Sequence, residues 1–257
     1  MAWQNARLSL KLVSIGVSVK LILLAGLPLV AQAQSTPTTS GNALSSHAIA
    51  SVTFEPPNGG QPNNTAGGAS RGGLCSEDSV TSGLRMSPLM PTNHAALTVA
   101  ERPTFFVYVP ESSAKTALFV LKDETEDYDY TKTIPISRTA GIISVKLPSD
   151  APALEVGKHY KWSFVLLCNG ELRPDSPGIE GQIQRVAENP ALSNELKSSS
   201  LLERAALYGK DGIWYDTITN LAELRRSQPE DTTLAATWEE LLKSVGLEAI
   251  ATKPLLQ

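Results

Sequence analysis

Two cysteines, Cys75 and Cys168, and three histidines, His47, His94 and His159, are the residues best suited to nucleophilic chemistry in this chain. A nucleophilic cysteine needs a base beside it, and none of the three histidines stands in a recognisable nucleophile motif. In an exported chain, an isolated pair of cysteines instead favours one disulfide. It would close a loop of about ninety residues and stabilise the fold by up to about 4–5 kcal/mol. The alternative is two free, buried thiols.

A dense acidic cluster lies in the stretch KDETEDYDY, residues 122–130. Carboxylates at this density could bind calcium, but the stretch lacks the turn glycine and the closing glutamate of an EF-hand loop. We interpret it as the solvated tip of a β-hairpin, with weak calcium binding as the alternative.

The sequence has no HExxH, no GxSxG, no P-loop and no GxGxxG followed by an acidic partner. We therefore predict no catalytic residue, no metal ligand and no cofactor, and we expect the protein not to be an enzyme. An enzyme would need a deep pocket that joins His94 or His159 to a carboxylate.

Residues 1–33 have the layout of a signal peptide. Arg7 and Lys11 form a basic beginning, residues 21–30 are apolar, and residues 31–33 are small. The apolar run is far shorter than the ~20 residues that a membrane span needs. We predict export to the periplasm or the extracellular space, with cleavage after the last of these residues. A retained N-terminal anchor is the alternative.

The charge balance excludes one class of partner. The formal net charge is −4, and removing the signal peptide with its three basic and no acidic residues takes it to −7. An acidic protein has no electrostatic footprint for phosphate backbones or anionic lipid surfaces. We expect no binding to nucleic acid.

The segment after the signal peptide, residues 34–72, is rich in Ser, Thr, Gly, Pro and Asn. Such a composition cannot bury enough apolar area to offset its ordering entropy. We predict a flexible, low-complexity linker in which only residues 48–54 could form a short strand.

The region 73–189 is predicted to be an antiparallel β-sandwich, because short β-branched and aromatic runs alternate with turn residues. The expected strands are 104–109, 117–123, 141–147, 160–168 and 181–186. Leu154, Gly157 and Tyr160 resemble the tyrosine corner of immunoglobulin-like and fibronectin type III sandwiches, in which the phenol bonds an upstream backbone group. The alternative is an ordinary core aromatic.

The region 190–257 changes to helical periodicity, with expected helices at 191–209, 213–227 and 233–247. The first two resemble one tetratricopeptide-repeat (TPR) unit. The matching residues are Ala205, Tyr208, Gly212, Trp214, Ile218, Leu221, Leu224 and Pro229. One such hairpin cannot bury its apolar face alone, and the sequence has no second copy. The hairpin is therefore either a cap packed on itself or on the sandwich, or a groove for a partner.

Several stretches together resemble an uncharacterised family of exported cyanobacterial proteins, domain-of-unknown-function family 928. They are residues 90–110, 154–162, 208–225 and 238–247. The likeness covers roughly residues 73–253 and implies a sandwich followed by helices, with no activity attached.

The fold class we expect is α+β: an immunoglobulin-like or fibronectin-III-like sandwich followed by a small TPR-like helical module. The expected function is a non-catalytic envelope protein that binds a protein partner through the helices or a free sandwich edge. A carbohydrate- or cell-wall-binding sandwich is the alternative. The oligomeric state and the partner's identity stay open.

Overall fold

Within the residues that the structure describes, the chain forms eight strands, four α-helices and one short 3-10 helix. This computed structural model describes residues 51–57, 75–78, 83–91, 96–125 and 127–256. The predicted signal peptide lies outside the described residues, and so does the predicted linker apart from 51–57.

The strands form two sheets. In chain order they are β1 (Ser87–Pro88), β2 (Leu97–Thr98), β3 (Thr104–Val109), β4 (Thr116–Asp123), β5 (Asp129–Pro135), β6 (Gly141–Lys146), β7 (His159–Leu166) and β8 (Gly178–Arg185). One sheet has the order β1-β3-β6 and the other β2-β8-β7-β4-β5. Neighbouring strands are antiparallel, except that β2 runs parallel to β8.

The two inner strands, β4 and β7, bury every second residue. This alternation is expected of a strand with one face toward the core. Phe119 of β4 lies opposite Phe164 of β7. Phe105 of β3 contacts Phe119 and Trp162, with ring centroids 4.9 and 5.5 Å apart. These rings join the two sheets across a shared apolar core.

Strand β5 was not predicted, because its sequence is polar and most of its residues are exposed. The acidic stretch 122–130 was expected to be the solvated tip of a hairpin after a strand over 117–123. Strand β4 ends at Asp123 as expected, but β5 already begins at Asp129, so the connecting tip is shorter than predicted. Asp123 is buried and accepts a hydrogen bond from the Tyr128 N–H at 3.2 Å.

The helices are α1 (Pro190–Leu196), α2 (Leu201–Lys210), α3 (Trp214–Ser227) and α4 (Thr232–Ser244), followed by the 3-10 helix Glu248–Ile250. The prediction of a single helix over 191–209 is wrong, because the helix is interrupted between the end of α1 at Leu196 and the start of α2 at Leu201. Ser200 and Glu203 form a capping box that starts α2 afresh. The side chain of Asp231 caps α4.

Sheets and helices share one hydrophobic cluster, which includes Phe105, Trp162, Trp214 and Leu241. All described residues belong to one compact unit, Ser46–Gln257. Two mostly antiparallel sheets with helices confirm the α+β class. The last strand, β8, ends at Arg185, and the first helix, α1, begins at Pro190. Among the described residues, no helix combines the length and the apolarity needed to cross a membrane.

Candidate functional site

The predicted disulfide between Cys75 and Cys168 is confirmed, with the two Cα atoms 5.6 Å apart. Asp78 fixes the chain beside it by accepting hydrogen bonds from the Cys75 N–H and the Ser112 hydroxyl. Burial raises the pKa of Asp78, but hydrogen bonds from Ser113 and Ser112 outweigh it and hold the pKa below its ordinary value. Neither cysteine is free, so the chain has no thiol nucleophile.

The three residues predicted as a tyrosine corner lie around the start of β7. The hydroxyl of Tyr160 accepts a hydrogen bond from the Glu155 N–H at 2.8 Å. Gly157 adopts a φ of 87°, a conformation that costs glycine little. Leu154 is buried. The trio shapes a turn, and His159 beside it is exposed. The other two histidines lie outside the described residues.

The TPR-like residues lie mostly on the inner side of the α2–α3 hairpin. Ala205, Trp214, Ile218 and Leu221 are fully buried, Tyr208 and Leu224 are half-buried, and Pro229 is exposed after α3. Gly212 turns the chain between the helices with a φ of 72°. The face that could have been a partner groove therefore packs against the rest of the chain.

Residues 51–57 cover part of this hairpin. This packing was not predicted, because the sequence indicated a flexible linker over 34–72. The ring of Phe54 meets that of Trp214 edge-on at 5.1 Å, and the Glu55 N–H donates to the Gly209 carbonyl at 2.9 Å. A Cβ built on Gly209 would lie 2.1 Å from the Thr53 carbonyl oxygen. The backbone approaches so closely that only glycine fits there.

The first turn of α3 joins the helices to both sheets by side-chain hydrogen bonds. Trp214 Nε1 donates to the Leu89 carbonyl, just after β1, at 2.8 Å. The hydroxyl of Tyr215 accepts a hydrogen bond from Trp162 Nε1 at 2.8 Å. Burial raises the pKa of Tyr215. These contacts make the start of α3 a structural joint.

Asp216, in the same turn, is a half-buried acid that sequence reasoning missed. Its Oδ2 accepts hydrogen bonds from the Thr98 hydroxyl at 2.8 Å and the Val99 N–H at 3.1 Å. Burial raises its pKa to about 6, against hydrogen bonds from Thr98 and Val99 that lower it. The adjoining cavity measures about 110 Å³, well below the ~300 Å³ of a small-ligand pocket. The carboxyl ties β2 to α3.

The described part of the chain offers no metal centre. No group of three or more His, Cys, Asp or Glu side chains there could hold a metal ion. In the acidic stretch, Lys158 Nζ lies 3.6 Å from the Asp123 carboxylate. Burial raises the pKa of Asp123, but hydrogen bonds from Tyr128 and Thr125 outweigh it and lower the pKa overall.

Trp162, Trp214 and Trp238 are all buried. The large hydrophobic side chains that stand exposed among the described residues are Val156 and Leu172. The carbohydrate-binding alternative therefore finds no exposed tryptophan there on which a sugar could stack.

A larger pocket, of about 610 Å³, lies at the other end of α3. Its lining residues are Ser144, Arg225, Arg226, Pro229, Pro254 and Leu255. Arg225 stacks over the Trp238 ring at 5.4 Å, and Arg226 lies over the Phe106 ring at 5.9 Å. Burial lowers the pKa of both arginines. Sequence reasoning missed this pair, because two arginines in a last helical turn are typical of a solvated helix end.

Strand β5 forms an uncovered edge of the five-stranded sheet. It pairs only with β4, and no described strand lies on its other side. Two of its seven residues, Tyr130 and Ile134, are half-buried, and the other five are exposed.

These observations define an α+β protein with a disulfide between its only two cysteines and helices packed on two sheets. The chain belongs to the family described as Domain of Unknown Function (DUF928), whose model matches residues 66–255. Comparison with curated proteins and with solved structures found no match.

Proposed function

We propose that this protein is a non-catalytic, exported envelope protein that binds an extended segment of a partner protein along β5. The observation that carries the proposal is the open edge of the five-stranded sheet. An exposed sheet edge presents unpaired N–H and C=O groups, and a partner strand can pair with them.

The other sheet edges are short or occupied. Strands β1 and β2 have two residues each. Strand β6 is paired beyond its edge by the C-terminal residues, since the Leu256 N–H donates to the Ile142 carbonyl at 2.7 Å. Strand β5, seven residues long, is thus the longest edge that the described residues leave available.

The register shows which β5 amides are available. The Asp123 N–H donates to the Tyr128 carbonyl, and the Ile136 N–H donates to the Lys115 carbonyl. In an antiparallel pair the hydrogen-bonded positions alternate. The amides of Tyr130, Lys132 and Ile134 therefore face β4. Those of the intervening residues, Thr131 and Thr133, point away from it.

The residue types along this edge favour selective pairing over indiscriminate association. Lys132 carries an exposed charge, and Pro135, at an outward position, has no N–H to donate. Charged residues and proline commonly prevent aggregation at an exposed sheet edge. Thr133 lies between Lys132 and Pro135, and Thr131 directly precedes Lys132.

The finer architecture and the location are part of the proposal. The bond between Tyr160 and the Glu155 N–H supports an immunoglobulin-like or fibronectin-III-like sandwich. The glycine turn between α2 and α3 supports a TPR-like hairpin, used here as a cap. The disulfide supports an oxidising compartment, the periplasm or the extracellular space. Mass spectrometry of the protein recovered from its native envelope tests cleavage after Ala33.

The test uses proline at one outward amide. Thr133→Pro removes the N–H of residue 133 without removing a bond to β4, and Thr133→Ala is the matched control that keeps it. Full-length variants immobilised at equal density are exposed to native envelope extract, and bound proteins are quantified and cross-linked to map the contact. We expect a protein retained by the wild type and Thr133→Ala, cross-linked to β5, and recovered about tenfold less by Thr133→Pro.

Equal recovery by Thr133→Pro and Thr133→Ala would refute pairing along β5. Retention of no cross-linked protein by the wild type would also count against the proposal. If size-exclusion chromatography shows a wild-type dimer that Thr133→Pro abolishes, then the edge pairs with a second copy of this chain and the proposed partner is wrong.

A further inference from the structure

We propose that the pocket at the C-terminal end of α3 binds a carboxylate attached to a short, branched apolar group, such as the free C-terminus of a peptide ending in leucine. We call it the arginine pocket; its residues are Ser144, Arg225, Arg226, Pro229, Pro254 and Leu255. This site is separate from the β5 edge and does not depend on the proposed function.

The first argument is uncompensated charge. Arg225 and Arg226 are half-buried, yet neither forms an ion pair with a described residue. Glu239 and Glu223 act on them only at longer range, and Glu239 is already paired with Lys243 at 3.2 Å. Two partly desolvated guanidinium groups with no ion-pair partner among the described residues are costly, and an anion in the pocket would offset that cost.

The second argument is that both guanidinium groups are held in place before any ligand arrives. Arg225 lies over the Trp238 ring. Arg226 Nη2 donates to the Ser144 hydroxyl at 3.0 Å and to the Leu256 carbonyl at 3.1 Å. Its Nε is buried without a hydrogen-bond partner among the described residues. Little side-chain entropy remains to be lost on binding.

The third argument concerns what surrounds the charge. Pro229, Pro254 and Leu255 give the pocket carbon-rich walls, and Ser144 supplies its one hydroxyl group. A volume of about 610 Å³ lies within the range of small-ligand sites. A sugar acid would need more polar partners for its hydroxyls. An apolar group bearing one planar carboxylate matches both the walls and the arginine pair.

The experiment uses small probes on the full-length protein, followed by NMR or calorimetry. N-acetyl-leucine supplies the carboxylate and the branched chain, and N-acetyl-leucinamide is the same molecule without the charge. We expect saturable binding of the acid at about millimolar concentration and at least about tenfold weaker binding of the amide. 4-Methylpentanoate, which lacks the peptide group, separates a free organic acid from a peptide end as the natural source.

Variants locate the binding. Arg225→Gln should weaken N-acetyl-leucine binding about tenfold, and Arg225→Lys should have an intermediate effect because it keeps the charge but not the planar fork. Arg138→Gln, at an exposed arginine outside this pocket, is the matched control and should bind as the wild type does. Arg225 is preferred to Arg226 because Arg226 also holds Leu256 in place.

The following results would overturn the inference. They are equal affinity for the acid and the amide, no saturable binding of the acid up to about 10 mM, and unchanged binding in Arg225→Gln with the protein folded by circular dichroism. Inorganic phosphate that binds more tightly than N-acetyl-leucine would show that the pocket selects phosphate, and the carboxylate assignment would be wrong.

Discussion

At one edge of the five-stranded sheet, β2 is held by α3 through Asp216, whereas at the other edge the outer side of β5 has no partner among the described residues. The first turn of α3 also bonds the Leu89 carbonyl, just after β1, through Trp214. A single helical turn thus supplies a donor at one sheet edge and an acceptor at another. The fold thus bonds α3 to two sheet edges and leaves the outer side of β5 unpaired among the described residues.

Among the changes proposed here, Trp214→Ala is expected to destabilise the contact between α3 and the β1 edge most. It removes a fully buried indole and the bond to the Leu89 carbonyl. We expect the free energy of unfolding to fall by about 3–5 kcal/mol, measured by urea denaturation. Trp214→Phe keeps most of the packing and should cost about 1–3 kcal/mol. A loss below about 1 kcal/mol in Trp214→Ala would show that this joint is not structural.

Proline substitutions along β5 compare amides that bond β4 with amides that point away from it. Lys132→Pro removes an N–H that bonds β4 and should cost about 2–4 kcal/mol. Thr133→Pro removes an outward N–H and should cost less than about 1 kcal/mol. Urea denaturation of both variants gives the difference. Equal losses would mean that the alternation of bonded and free amides has been assigned wrongly.

Titration of Asp216 tests the closed β2 edge. Its pKa is raised to about 6 in the folded protein, from about 3.9 in an unfolded chain. The folded state therefore binds the proton more tightly, and stability falls as pH rises from about 4 to about 6. We expect up to about 3 kcal/mol of this fall to vanish in Asp216→Asn, measured as the free energy of unfolding against pH.

Asp123→Asn is the control with the opposite sign. The pKa of Asp123 is lowered in the fold, so its contribution to stability is lost as pH falls. The variant should flatten the acid side of the profile. If Asp216→Asn leaves the slope between about pH 4 and 6 unchanged, the carboxyl is not the group that titrates there.

Much of the fold could be predicted because the inner strands carry their own pattern. Alternating apolar residues marked β4 and β7, and helical spacing marked α3 and α4. Strand β5 could not be found this way, since an edge strand with exposed faces has little hydrophobic pattern. Residues 51–57 were missed because two apolar side chains, Val52 and Phe54, are too few to predict packing. Their binding surface exists only after α2 and α3 have come together.

The candidate sites were harder to predict than the fold. Arg225, Arg226 and Asp216 are ordinary residues for the ends of a helix, where charges complement the helix dipole. What sets them apart is partial burial and their contacts with distant parts of the chain. The bond between Asp216 and Thr98 spans 118 residues, and that between Arg226 and Ser144 spans 82. No local spacing encodes such pairs.

The most direct test of the open edge is amide hydrogen exchange of the purified full-length protein, resolved by NMR. The account predicts that Thr131 and Thr133 exchange at least about a hundredfold faster than Tyr130, Lys132 and Ile134. That result would show a strand bonded on one side and free on the other. Equal protection of all five amides would mean that something already covers β5, and the central claim would be wrong.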